Sequence, residues 1–332
     1  MKKELKGHIW PIDLMKTIAI SGVLIQHCVE SINHEGWLWN LLIVNAMTVF
    51  FLLIGINYAM AAERRGIQTI CGYFRGMLLH NLGRILWPWM LAFGLEVGYH
   101  SLLRPRLEWM RHYKKTIEDH FRVREMARMM PAGGLGPGAY FIPLMLVTLL
   151  VFPFLLRLAK VSWWGGAVLV IAGYWFWPFS QGTPGRVGYA ILYVYAGILI
   201  WKFSARIPLW ASALALGVGI AGYRFWSTRG FELLLTAAIV QLAIQLLPWQ
   251  PKNLLTGAVS FCAKASFDIY LMQKVYFSTG FPRYLTIEYG VGEWGQFAIA
   301  LAAGLLFFVL ETQLRRALTY IWQLCQRKPA YA

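Results

Sequence analysis

The sequence predicts an all-α polytopic membrane protein, a bundle of about ten transmembrane helices built as a single domain over residues 1–332. Three observations carry this. First, 58% of the 332 residues are hydrophobic and only 14% are charged, against roughly 25% charged in soluble domains. Second, the mean hydropathy is positive, at +0.52. Third, apolar runs of membrane-crossing length recur from end to end. The competing class, a large soluble α/β enzyme, fails the same test of periodicity.

In chain order the expected spans are 12–32, 37–61, 85–103, 139–159, 162–180, 188–201, 207–226, 230–249, 266–282 and 296–314. The sixth is short. The first is too long for a signal-peptide core and lacks a small-residue cleavage site, so no cleaved leader is expected. Cys28, Cys71, Cys262 and Cys325 show no CxxC or other metal spacing, and neither a metal nor a disulfide framework is expected.

The net charge is +16. In a membrane protein such a surplus reads as basic residues held on the cytoplasmic side, so no nucleic acid is expected as a partner. With the N-terminus inside, 18 basic residues, from Lys2 to Lys328, fall on the cytoplasmic side. Arg186, Arg224, Arg229, Lys274 and Arg283 fall outside or lean outward, a total of 5. This predicts a multi-pass protein of the cell (inner) membrane with both termini cytoplasmic. One segment objects. Residues 104–135 hold the remaining 8 basic residues and four acids on the outer side. Apolar Leu107, Met110, Ile117 and Phe121 recur there at helix-like spacing, which suits an amphipathic helix on the membrane surface. A solvated charged loop, or a re-entrant third span that places the segment inside, are the alternatives.

The first span carries the chemistry. "PIDLMKTIAISGVLIQHCVE" is apolar apart from Asp13 and Lys16 at one end and His27 and Glu30 near the other. Lys16 and His27 are eleven residues apart, which on a helix is within about 20° of one face and about 16 Å along the axis. Ionisable groups at such depth are costly and usually face a polar cavity. A carboxylate three residues beyond a histidine can fix its tautomer and favour its protonated form. The plain alternative is a histidine that only joins helices by a hydrogen bond. Glu96 and Asn45 are read in the same two ways, as pore liners or as interhelical contacts. Lys274 is expected to snorkel outward, Tyr270 to pack, and the Trp-rich "YWFWPF" to form an interface belt.

The stretch "DLMKTIAISGVLIQH" resembles the membrane-bound acyltransferase 3 family, in which an Asp is followed by a basic residue three positions on and a His fourteen on; here these are Asp13, Lys16 and His27. "TVFFLLIGINYAM" is similar to that family's aromatic pair and glycine, carried by Phe50, Phe51 and Gly55. "YFRGMLLHNLGRILWPWM" resembles its basic inner loop, with Arg75, Arg84 and Pro88. "GAYFIPLMLVTLLVFPFLL" is similar to its fourth span, and "SFDIYLMQ", with Ser266, Tyr270 and Leu271, to a late motif. The likeness runs in order along nearly the whole chain. It departs at Lys16, where arginine is usual, at Gln273, where histidine is usual, and in the Arg84 to Pro88 spacing, which is one residue long. Lysine keeps the charge but lacks the bidentate fork of arginine.

The resemblance implies an O-acyltransferase of envelope glycans or small molecules. Its donor would be acyl-CoA, acetyl-CoA in the first instance, at the cytoplasmic face, with no metal. Lys16, Arg75 and Arg84 would hold the donor phosphates, although Arg75 and Arg84 also fit the ordinary basic bias of inner loops. His27 would act as general base on the acceptor hydroxyl, assisted by Glu30, in preference to forming an acyl-imidazole. The other classes are a transporter or flippase of an envelope intermediate, although no duplicated halves are evident, and a non-catalytic partner in a glycan-synthesis complex.

Overall fold

The computed structural model describes residues 9–29, 46–67, 69–99, 102, 141–176, 183–226, 229–248 and 253–326. Among these residues there is no strand, and 92% are helical. The helices are α1 (Trp10–Cys28), α2 (Ala46–Arg64), the single turn α3 (Ile70–Tyr73), α4 (Leu79–Gly98), α5 (Phe141–Val161), α6 (Trp163–Phe176), α7 (Thr183–Phe203), α8 (Leu209–Trp226), α9 (Arg229–Leu246), α10 (Leu254–Ser278), α11 (Phe281–Tyr289) and α12 (Glu293–Gln326). A π-helical turn, Phe74–Leu78, joins α3 to α4.

The described part of each of the ten apolar runs falls on a helix, but these helices differ in length and apolarity. α2, α5, α10 and α12 are long and apolar enough to cross a membrane, and α6 to α9 contain shorter apolar helices. α1 and α4 stand outside both sets. They carry charge within their length: Asp13, Lys16 and His27 on α1, and His80, Arg84 and Glu96 on α4.

Two helices outrun their apolar cores. α10 begins at Leu254, twelve residues before the expected 266, because Asn253 starts it with a reciprocal capping box to Thr256. α12 has 34 residues, a length of about 51 Å, well beyond the ~30 Å hydrocarbon core. The basic inner loop expected before the third span is also helical, running through α3 and the π turn into α4.

The contacts give each helix a direction. On α1 and α10, Asp13 meets Ser260 and His27 meets Lys274, so the two run parallel. α10 and α12 run antiparallel, with Tyr276 beside Gln296 and Phe261 beside Phe308. α8 and α9 form an antiparallel hairpin, with Ser212 bonded to Gln245 and Gly222 against Phe231. α7 and α9 run parallel, through Tyr189–Glu232 at one end and Ser204–Gln241 at the other.

The closest seam joins α2 to α7. A Cβ on Gly55 would run into the Val194 carbonyl, and one on Gly197 into the Leu52 carbonyl. Glycine on both sides lets these backbones touch, the small-residue packing by which helices associate in lipid. Leu52, Ile56, Val194 and Ile198, all buried, close the seam above and below.

Candidate functional site

Three helices that share a direction build the site: α1, α4 and α10. Near their N-terminal ends, Lys16 of α1 feels the charges of Asp13 and Arg84. Asp13 is buried and accepts a hydrogen bond from Ser260 Oγ at 2.8 Å, while Thr17 Oγ1 donates to Val259 O at 3.0 Å. These bonds pin the start of α1 to α10 and fix where Lys16 emerges. The Lys16–Arg84 pairing expected for the donor end is therefore brought together from helices 68 residues apart in sequence.

More cations gather there than the sequence singled out. His80, one turn ahead of Arg84 and before the apolar part of α4, interacts with Arg65, Arg84 and Arg315. Burial first, and then these three guanidiniums, push its imidazole below the ordinary range. Arg65 is tied down by donating from Nη1 to Gly76 O at 2.8 Å, on the π turn. Arg315 reaches the cluster from the far part of α12, where it also bonds to Glu311. Arg65 and Arg315 had been legible only as inside-facing charges. Nothing local marks them, because they arrive from the end of α2 and from the last third of the chain. Arg75 differs. It is exposed on the π turn and is not among the charges acting on Lys16 or His80.

At the other end of the same three helices, His27 lies in the last turn of α1. It is exposed there. α1 ends at Cys28, and Val29 has left helical dihedrals (φ −116°, ψ 87°). The helical spacing expected for His27 and Glu30 therefore does not extend through the pair, and Glu30 lies outside the described residues. The charged neighbour seen at His27 is Lys274 on α10, with Nζ 3.3 Å from Nε2. Lys274 thus turns toward α1 and does not snorkel away. Phe277, one turn on, places its ring 6.3 Å from the imidazole.

Glu96 is buried at this end of α4 and reaches the Ser278 hydroxyl of α10, and its Oε2 has no hydrogen-bond partner. Tyr99 Oη donates to Thr279 O at 2.7 Å, closing α4 onto the end of α10. Gln273, in the place of the late histidine, is fully buried with both amide atoms unpartnered among the described residues. Tyr270 packs edge-on against Phe141 at 4.9 Å, as expected. Asn45 and residues 104–135 lie outside the described residues.

A separate cavity of about 250 Å³ opens between α2, α5 and α7. Glu63, Lys160, Trp201 and Lys202 supply its polar lining, and none of the predicted site residues borders it. Trp201 Nε1 donates to Glu63 Oε2 at 2.8 Å. Among the described residues no group of three or more His, Cys, Asp or Glu is placed to hold a metal ion.

Among the described residues, fold and site together define an all-helical protein with four helices long and apolar enough to cross a membrane and a polar seam between α1, α4 and α10. Comparison with protein-family models, with curated proteins and with solved structures finds no match.

Proposed function

We propose that this chain is an integral-membrane O-acyltransferase that moves an acyl group, acetyl in the first instance, from acyl-CoA to a hydroxyl of an envelope glycan or small molecule. One observation carries the reading. Lys16 and Arg84, both picked out by the family likeness, act on each other at one end of three parallel helices whose other end holds His27. Polyphosphate at the first end and an acyl group at the second are separated by about the 16 Å rise from Lys16 to His27. A pantetheine arm is long enough to span that distance.

The donor phosphates would sit among Lys16, Arg84, Arg65 and Arg315, with Arg75 at the rim. His27 would take the acceptor proton, a task for which an imidazole is suited near neutral pH. The helix directions also support ten alternating spans. Helices expected as first, third and ninth run together, as do the sixth and eighth, while the seventh opposes the eighth and the ninth opposes the tenth. With the basic bias, this favours an N-in, C-in protein of the inner membrane. Labelling cysteines placed at Pro184 and at the C-terminus should report opposite sides of the membrane; labelling on one side would overturn the topology.

The direct test of function uses purified full-length protein with acetyl-CoA, measuring release of free coenzyme A and transfer to glycan. Mass spectrometry of envelope glycans from cells with and without the protein then names the acceptor. No turnover of acyl-CoA by well-folded protein would overturn the reading. One observation favours the second reading, a transporter: Asp268 of α10 is buried with Oδ1 unpartnered, close to the Glu311 charge. Intramembrane carboxylates of this kind mark ion pathways.

A further inference from the structure

Lys274 has no role in the transfer as described, yet its ammonium contacts the proposed base. Its Nζ lies 3.3 Å from His27 Nε2. An ammonium has only donors, so Nε2 is the accepting nitrogen in this contact and Nδ1 carries the ring proton. A cation beside a base does not help the ring accept a proton. It belongs where negative charge is about to form.

The surroundings point the same way. Ser278 lies four residues beyond Lys274, on the same face of α10, and meets Glu96 of α4. Glu96 is 3% exposed, and its Oε2 is without a partner. Polar groups from α1 and α4 thus meet successive turns of one face of α10 at the end of the bundle opposite Lys16. A buried carboxylate oxygen with no donor is costly unless a donor arrives, and a hydroxyl-bearing acceptor supplies one.

We propose that Lys274 is a second catalytic residue of the transfer, its ammonium donating to the acyl carbonyl oxygen as that oxygen becomes an oxyanion. The proposal rests on the acyltransferase reading. When donor and acceptor enter, the Lys274 N–H turns from His27 Nε2 to the carbonyl oxygen, and Nε2 is freed. The acceptor O–H gives its proton to Nε2 as its oxygen bonds to the thioester carbon. The C=O π pair moves onto the oxygen, against Lys274. Collapse restores C=O, breaks the C–S bond, and the departing thiolate takes the proton from the imidazolium. Lys274 keeps its protons throughout. Preformed donors of this kind act on charge that develops only in the transition state.

The test compares wild type, His27→Ala, Lys274→Met, Lys274→Gln and Lys274→Arg as purified full-length proteins with acetyl-CoA. Lys274→Met should lower kcat about 10²–10³-fold while KM for acetyl-CoA stays close to wild type, the signature of an interaction made only in the transition state. Lys274→Arg should keep more activity than Lys274→Gln. If Lys274→Met fails to fold, the Gln and Arg variants carry the same comparison. Full kcat in Lys274→Met beside an inactive His27→Ala would overturn the role of Lys274 and leave the acyltransferase reading standing. A rise in KM with kcat unchanged would make Lys274 a donor-binding residue and overturn the proposal. Full turnover in His27→Ala, or none in wild type, would overturn the reading and the proposal with it.

Discussion

Two parallel helix pairs, α2 with α7 and α1 with α10, are held together by opposite means. The first pair meets chiefly glycine to backbone, Gly55 on Val194 and Gly197 on Leu52, inside a sheath of buried aliphatic side chains, with the Trp201–Glu63 bond at one end. The second meets through polar groups: Asp13 with Ser260, Thr17 with the Val259 carbonyl, His27 with Lys274. Backbone contact between small residues serves association and little else. A seam of ionisable side chains in the same setting is costly to maintain and marks a site where something polar is handled. The α2–α7 seam is thus suited to holding the fold, and the α1–α10 seam is the one proposed above for the chemistry.

The separation is broken most directly at the glycines. Gly197→Leu would drive a side chain into the Leu52 backbone, which cannot turn aside as a flexible side chain can. A loss of about 3 kcal/mol or more is expected, read as loss of folded protein in a thermal melt in detergent. Activity per folded molecule should be unchanged in whatever survives. A stable Gly197→Leu protein would mean that the α2–α7 seam is looser than described.

His27→Ala should do the reverse, leaving the melt in place while turnover falls by about 10²–10⁴-fold. In the wild type the rate should fall on acidification as the imidazole takes up its proton. A lowered melt with intact turnover per folded molecule would identify His27 as structural.

Lys16→Ala is expected to raise KM for acetyl-CoA more than that for the acceptor, by roughly tenfold if one charge-assisted phosphate contact is lost. Lys16→Arg should be tolerated, since a guanidinium makes the same contact in bidentate form. Unaltered acetyl-CoA binding in alanine variants of Lys16, Arg75 and Arg84 alike would reduce all three to topology residues. Because Arg75 stands apart from the Lys16–Arg84 pair, its alanine variant should be the mildest.

The smallest effect concerns His80. Arg65, Arg84 and Arg315, after burial, hold its imidazole below the ordinary value, near 6.5 in model peptides. Phosphates bound among the same guanidiniums would favour the imidazolium. Its titration, followed by NMR, should therefore move up when coenzyme A is added. The sign for binding follows: protonating His80 adds a positive charge, so donor affinity should rise as pH falls through the lowered pKa, and His80→Ala should remove that rise. An unmoved His80 titration at saturating coenzyme A would place the phosphates elsewhere.

Much of this was legible without coordinates because membrane helices are written locally. A long apolar run needs only its own residues to become a helix, since each backbone N–H finds its acceptor within the segment. That is why the described parts of these runs are helical, and why Lys16 and His27 could be placed on one face of α1 from their spacing. The errors arose where a polar residue's fate depends on a distant partner. Lys274 read as a snorkelling lysine, because hydropathy does not say which helix lies across from it. The end of α1 at Cys28, two residues before Glu30, was likewise not signalled by the run, and Glu30 itself lies outside the described residues. The start of α10 was missed for the opposite reason: Ser260 and Lys264 interrupt its apolar run, while the Asn253 cap and the contact with Asp13 keep it helical.

By itself the sequence determined the all-helical class and the order of the apolar helices along the described chain. Tertiary structure alone decided that α1, α4 and α10 lie together in one direction. It also decided that Arg65, His80 and Arg315 join Lys16 and Arg84, and that a lysine faces the histidine. The physical reason is the range of the forces. Backbone hydrogen bonding and transfer into lipid act within a segment and are read from composition. The pairing of helices depends on shape at the glycines and on a few polar contacts, which bring together residues up to 247 positions apart.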